Sequence, residues 1–162
     1  MLFRSIYIDH RRTGQRLGSQ LLAALIDQMV PEVRTRRTPA PGNRGDLVDR
    51  TLAVYEQIGD GVIRTLSQES RIPELQPLID IGRREQRRIT AETFAEALKP
   101  LNAPQARRTL DLLVISTDVY TWKLLRRDMR RSVKDTRESM LDLIQAALAR
   151  AGDKPSANRE RS

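Results

Sequence analysis

Few residues in this chain have the types and spacing that chemistry needs. The single histidine, His10, lies in an N-terminal stretch with no clean period. With no cysteine in 162 residues, it has no second soft ligand with which to share a metal. Glu92 and Glu96 are four apart, which sets two carboxylates on one face of a helix. Carboxylates among arginines usually sit in i,i+4 ion pairs, and a di-metal site would also want His ligands. The Gly59–Asp60–Gly61 triplet lies inside a helical pattern, and no GxGxxG, Walker A or nucleophile-elbow pattern occurs. The expectation is therefore no enzyme, no catalytic or metal-ligating residues and no cofactor. Tyr55, Phe94, Tyr120 and Trp122 are aromatics on apolar stripes, and such residues are more often core than pocket lining. Buried Tyr and Trp still bring a hydroxyl and an indole N–H that require partners.

The elements that would position these side chains are helices. Leu21, Leu22, Leu25, Ile26, Met29 and Val33 recur at three- and four-residue steps, with Pro31 late in the stripe. Thr35–Gly45, with two prolines and two glycines, reads as a loop. Asp46 is expected to cap a helix reaching about Gln68, with Val48, Leu52, Tyr55, Ile58, Val62 and Leu66 on its apolar stripe. Gly59 and Gly61 interrupt it, each costing about 1 kcal/mol against Ala. They bend the helix, admit a close neighbour or leave room for a ligand. Leu78, Ile81, Ile89, Phe94 and Leu98 follow, around the polar stretch Arg83–Arg88, and Pro77 suits only a helix start.

The apolar spacing predicts two last helices, Pro104–Arg127 and Ser132–Arg150, the second opened by a capping box of Ser132 with Asp135. The first carries Leu110, Leu113, Val114, Thr117, Thr121, Leu124 and Leu125 on one stripe. It carries Leu112, Ile115, Val119 and Trp122 on another. A helix apolar on two sides needs two covering surfaces, and one candidate is a second copy of the chain. The fold class expected is all-α, a bundle of five to six helices, with residues 1–16 irregular, 17–151 one helical domain and 152–162 a disordered tail.

Length and composition set outer limits. The chain is 39% hydrophobic and 31% charged, suited to one soluble helical domain. No apolar run approaches the roughly 18 residues that cross a bilayer. Met1–Ile8 lacks the long apolar region and cleavage site of a secretory signal, so no membrane partner and a cytoplasmic location are expected. The net charge of +8 raises a nucleic-acid alternative, in which the Arg-rich runs Arg4–Arg37 and Lys123–Arg137 bind phosphates without sequence preference. A charge run is most often a solvated face.

The stretch RTPAPGNRGDLVDRTLAVYEQIGDGVIRTLSQESRIPELQPLIDIGRREQRRITAETFAEAL, Arg37–Leu98, resembles the C-terminal domain of TetR-type transcriptional regulators. It holds a YExxGD-like segment, Tyr55–Asp60, followed by an RxPxLxPLxDxGR-like segment, Arg71–Arg83. Ser116–Leu148 is similar to that family's last two helices, and LGSQLLAALI, Leu17–Ile26, to the junction where its effector domain begins. The resemblance implies a homodimer through the last two helices. Leu110, Val114, Thr117, Thr121, Leu125, Met140, Ile144 and Leu148 would be the contacts, with Thr117 and Thr121 small so that helices approach closely. It also implies a small, mostly apolar effector of unknown identity between the Leu21–Val33, Asp46–Gln68 and Leu78–Leu98 helices. Tyr55, Ile58, Leu66 and Phe94 would line that site.

The family places a three-helix DNA-binding domain before the junction. Only sixteen residues precede Leu17 here, with no helix-turn-helix pattern. The expectation is a regulator whose DNA-reading half is missing, and DNA as a partner only if that half is supplied elsewhere.

Overall fold

The structure is a computed structural model, and it describes residues 39–40 and 42–152. The irregular segment with His10, the Leu17–Ile26 junction, the Leu21–Val33 stripe and the tail beyond Gly152 lie outside the described residues. Within them the fold is all-helical, and no strand occurs. No described helix is long and apolar enough to cross a membrane.

Helix α1 spans Arg44–Leu66. Its cap is Asn43 rather than Asp46: the Asn43 Oδ1 accepts from the Asp46 backbone N–H at 2.9 Å. Asp46 sits in the first turn, where its carboxylate accepts from Ala40 N–H at 2.9 Å and Arg50 Nε at 2.8 Å. A negative charge is favourable at that helix end. Leu47, Val48, Thr51, Leu52, Val54, Tyr55 and Gly59 form the buried face, and the helix runs unbroken through both glycines.

A 3₁₀ turn, Pro73–Leu75, leads into α2, Gln76–Thr93, with Pro77 in its first turn where no N–H is missed. The polar stretch Arg83–Arg88 is helical. Ile79, Gln86 and Ile89 face inward, whereas Leu78 and Ile81 are only half-buried. A short helix α3, Ala95–Leu98, follows.

The expected single helix Pro104–Arg127 is two. Helix α4, Ala103–Ser116, starts at a reciprocal capping box of Asn102 and Gln105 and stops at Thr117. Asp118 then caps a new helix, α5, Val119–Lys123, accepting from Tyr120 N–H at 2.8 Å. This passes into a π turn, Leu124–Asp128.

The break has side-chain causes. The Thr117 carbonyl, out of helical register, accepts from Gln86 Nε2 at 2.9 Å and Tyr55 OH at 3.4 Å. Thr121 Oγ1 donates to the Ile115 carbonyl at 2.6 Å. Ser, Thr and Asp side chains offer backbone groups such alternatives to the helical ladder. The break also resets which side faces inward: Val119 and Trp122 enter the core while Tyr120 is turned outward.

Helix α6, Val133–Gly152, begins as expected at Ser132, whose Oγ accepts from Asp135 N–H at 3.0 Å. Arg44 bonds Gln145 and Asp49 pairs with Arg137, so α1 and α6 run in opposite directions. Helix α6 packs on α4 and α1, α2 packs on α4 and α1, and α5 packs chiefly on α1. The shared core includes Leu47, Val48, Leu52, Tyr55, Leu113, Trp122, Met140 and Ile144.

Candidate functional site

The densest long-range chemistry joins the Tyr55–Asp60 face of α1 to Trp122–Arg127. Tyr55 with Gly59, Glu56 with Gly59 and Glu56 with Asp60 are three or four residues apart, so they fall on adjoining positions of α1. Tyr55, Glu56 and Gly59 all meet Trp122. The Tyr55 ring lies 5.9 Å, centroid to centroid, from Trp122 at a 48° tilt. Gly59 leaves room for the fully buried Trp122 ring. The Trp122 Nε1–H donates to Glu56 Oε1 at 2.8 Å.

The same Glu56 carboxylate takes Arg126 in a fork, Nε to Oε1 at 2.7 Å and Nη2 to Oε2 at 3.0 Å. The Arg127 guanidinium stands 4.5 Å above the Trp122 ring centre and pairs with Asp60 at 3.0 and 3.1 Å. The Arg126 bond, aided by the Trp122 indole, holds the Glu56 carboxyl below its ordinary range, against the opposing effect of burial. Arg126 and Arg127 are raised in turn by Glu56 and Asp60. The arrangement offers charge and shape complementarity between helices.

The residues expected to line an effector site divide. Tyr55 and Phe94 are in the core, each 5% exposed, and Tyr55 is engaged at the Thr117 break. Ile58 and Leu66 are partly buried against that core from α1. The wall expected from Leu21–Val33 lies outside the described residues. A separate open depression of about 450 Å³ lies along α4, lined by Ala103, Pro104, Arg107, Arg108 and Asp111, none of them an expected ligand contact.

The residues expected at a dimer interface also divide. Thr117, Met140 and Ile144 are fully buried within the chain and present no surface to a partner. Leu110, Val114, Thr121, Leu125 and Leu148 are half-buried. Thr117 and Thr121 both bond at the helix break, Thr117 to Gln86 and Thr121 to the Ile115 carbonyl. Large apolar side chains do stand exposed: Ile115, Tyr120, Leu124, Met129, Val133 and Leu143. All six lie between the end of α4 and the middle of α6.

Glu92 is held by Arg88 at 2.6 Å, and Glu96 lies beyond the end of α2, so the two carboxylates do not share one helix. Among the described residues no group of three or more His, Cys, Asp or Glu side chains could hold a metal ion. The basic run Lys123–Arg137 is largely engaged inside the fold. Lys123 pairs with Asp128, Arg126 with Glu56, Arg127 with Asp60 and Arg137 with Asp49. Arg130 and Arg131 make no ion pair among the described residues.

The Glu56–Arg126 and Asp60–Arg127 pairs had no counterpart in the sequence reading. One signal for them existed: a buried Trp needs a hydrogen-bond acceptor, and Glu56, three residues before the glycine that admits the ring, is a carboxylate on the same face. No protein-family model, curated protein or solved structure matches this chain.

Proposed function

We propose that this chain is the effector-binding and dimerisation part of a TetR-like transcriptional regulator. The observation that carries the reading is the confinement of every exposed large apolar side chain among the described residues to Ile115–Leu143. All but Met129, which lies between them, fall on the two helices that the resemblance makes the dimer interface. Scattered single apolar residues on a surface need no explanation; six within one short span of the chain support an association surface there. The all-helical fold and the order of the Tyr55–Asp60, Arg71–Arg83 and Ser116–Leu148 segments support it further.

In this reading the contacts shift from those expected. Ile115, Tyr120, Leu124 and Leu143 meet the second copy, flanked by half-buried Leu110, Val114, Leu125 and Leu148, while Met140 and Ile144 stay inside their own subunit. A small apolar effector contacts α1 from the side of Ile58 and Leu66. In this reading the protein acts in the cytoplasm. Sedimentation equilibrium tests the reading: the chain is expected to be a dimer at micromolar concentration, and Leu143→Glu with Leu124→Glu to give a folded monomer. A wild-type chain that is strictly monomeric overturns it.

A further inference from the structure

Helix α5 is covalently continuous with α4, yet nearly all its packing is with α1. The Trp122 ring is seated over Gly59, its N–H is bonded to Glu56, and Arg126 and Arg127 clasp Glu56 and Asp60. Beyond the π turn the chain stays with this segment. Met129 N–H donates to the Leu124 carbonyl at 2.8 Å and Arg131 N–H to the Leu125 carbonyl at 2.9 Å. Arg126 Nη1 also donates to the Arg131 carbonyl, so one guanidinium ties α1 to the loop. Arg130 takes a left-handed φ of 54° to close that turn, a conformation uncommon for a non-glycine residue.

Both ends of the segment are non-helical. Thr117 and Asp118 break the ladder on one side, and Arg131–Ser132 precede α6 on the other. Across the first end runs the Thr121–Ile115 side-chain bond. The π turn touches α6 only lightly. Such π turns recur at functional sites, and hinges sit at element ends that absorb changes in φ and ψ.

We infer that Val119–Arg131 is mechanically part of α1, hinged at Thr117–Asp118 and Arg131–Ser132, so that a displacement of α1 carries Tyr120, Leu124 and Met129 with it. These three are among the exposed apolar side chains, whereas Ile58 lies on α1 itself. The segment thereby couples a ligand contacting α1 to the association face. That consequence rests on the proposed function; the mechanical unit does not.

Hydrogen exchange of the full chain tests it. In the wild type, amides of 119–131 are expected to open with those of 56–63, and independently of 105–116 and 136–148. Glu56→Gln keeps the shape of the clasp but removes the carboxylate charge and one of its two acceptor oxygens, leaving Arg126 a single neutral acceptor. It is expected to lower protection of 119–131 about tenfold while leaving 105–116 and 136–148 unchanged. Asp60→Asn, at a more exposed position, should do the same more weakly if Glu56→Gln does not fold. Thr121→Val, which cuts the bond to α4, should leave 119–131 unchanged. Protection that falls equally in α4 and α6, or that responds to Thr121→Val and not to Glu56→Gln, overturns the inference. Failure of the functional reading shows separately, as a monomeric wild type, and leaves the exchange result decisive.

Discussion

A side chain on Gly59 would collide with the ring of Trp122: an ideal Cβ there stands 2.5 Å from Cζ3 and 2.6 Å from Cη2. The ring is fully buried and has Tyr55 on one side and Arg127 on another, so moving it displaces packed neighbours. The glycine is therefore a packing requirement, although φ is ordinary and any residue would satisfy the helix.

Gly59→Ala is accordingly expected to destabilise the chain by about 1–3 kcal/mol through overpacking, despite the better helix propensity of Ala. Gly82, on α2, meets nothing within 4 Å. Gly82→Ala should stabilise by about 0.5–1 kcal/mol. Urea denaturation of the two variants reads opposite signs. Equal signs would show that Trp122 yields and that Gly59 marks no close approach.

Two buried hydroxyls are expected to be liabilities. Thr51 on α1 and Thr136 on α6 are fully buried, and their Oγ1 atoms find no hydrogen-bond partner among the described residues. An unpaired buried hydroxyl retains its desolvation cost, and an isosteric methyl removes it. Thr51→Val and Thr136→Val should each raise stability by about 1 kcal/mol, read as a higher midpoint in denaturant. A loss of stability in either would show that the hydroxyl is paired.

Acid should loosen the clasp before it unfolds the rest. Glu56 is held below its ordinary pKa of 4.5, chiefly by Arg126. A depressed carboxyl contributes stability that is complete above pH 4.5 and is lost as pH falls through the lower folded value. Trp122 is the one tryptophan, so its emission reports the event directly. Emission is expected to be constant from pH 8 to 5 and to shift red below 4.5. Glu56→Gln should lack that acid step. A step that persists in Glu56→Gln would assign it to another carboxylate.

What could be read from sequence was local. The 3.6-residue period of Val48, Leu52 and Tyr55 marked α1, Ser132 with Asp135 marked the start of α6, and Pro77 marked a helix start. Each depends on residues within a turn or two of one another, and the all-helical class follows from them. The glycine–aromatic packing was legible as one of three options at Gly59, because a glycine inside a helix has few reasons to be there.

Tertiary structure decided which neighbour covers each apolar stripe. Met140 and Ile144 recur at the same spacing whether a second subunit or the chain's own core lies opposite, and only the packing of α1 and α4 against α6 turns them inward. The break at Thr117 is likewise non-local. Its free carbonyl is tolerated because Gln86 and Tyr55, from two other helices, reach it. Glu56 and Arg126 are seventy residues apart, and nothing in the period of either helix says that they meet. Periodicity specifies a face; burial of that face is a property of the whole chain.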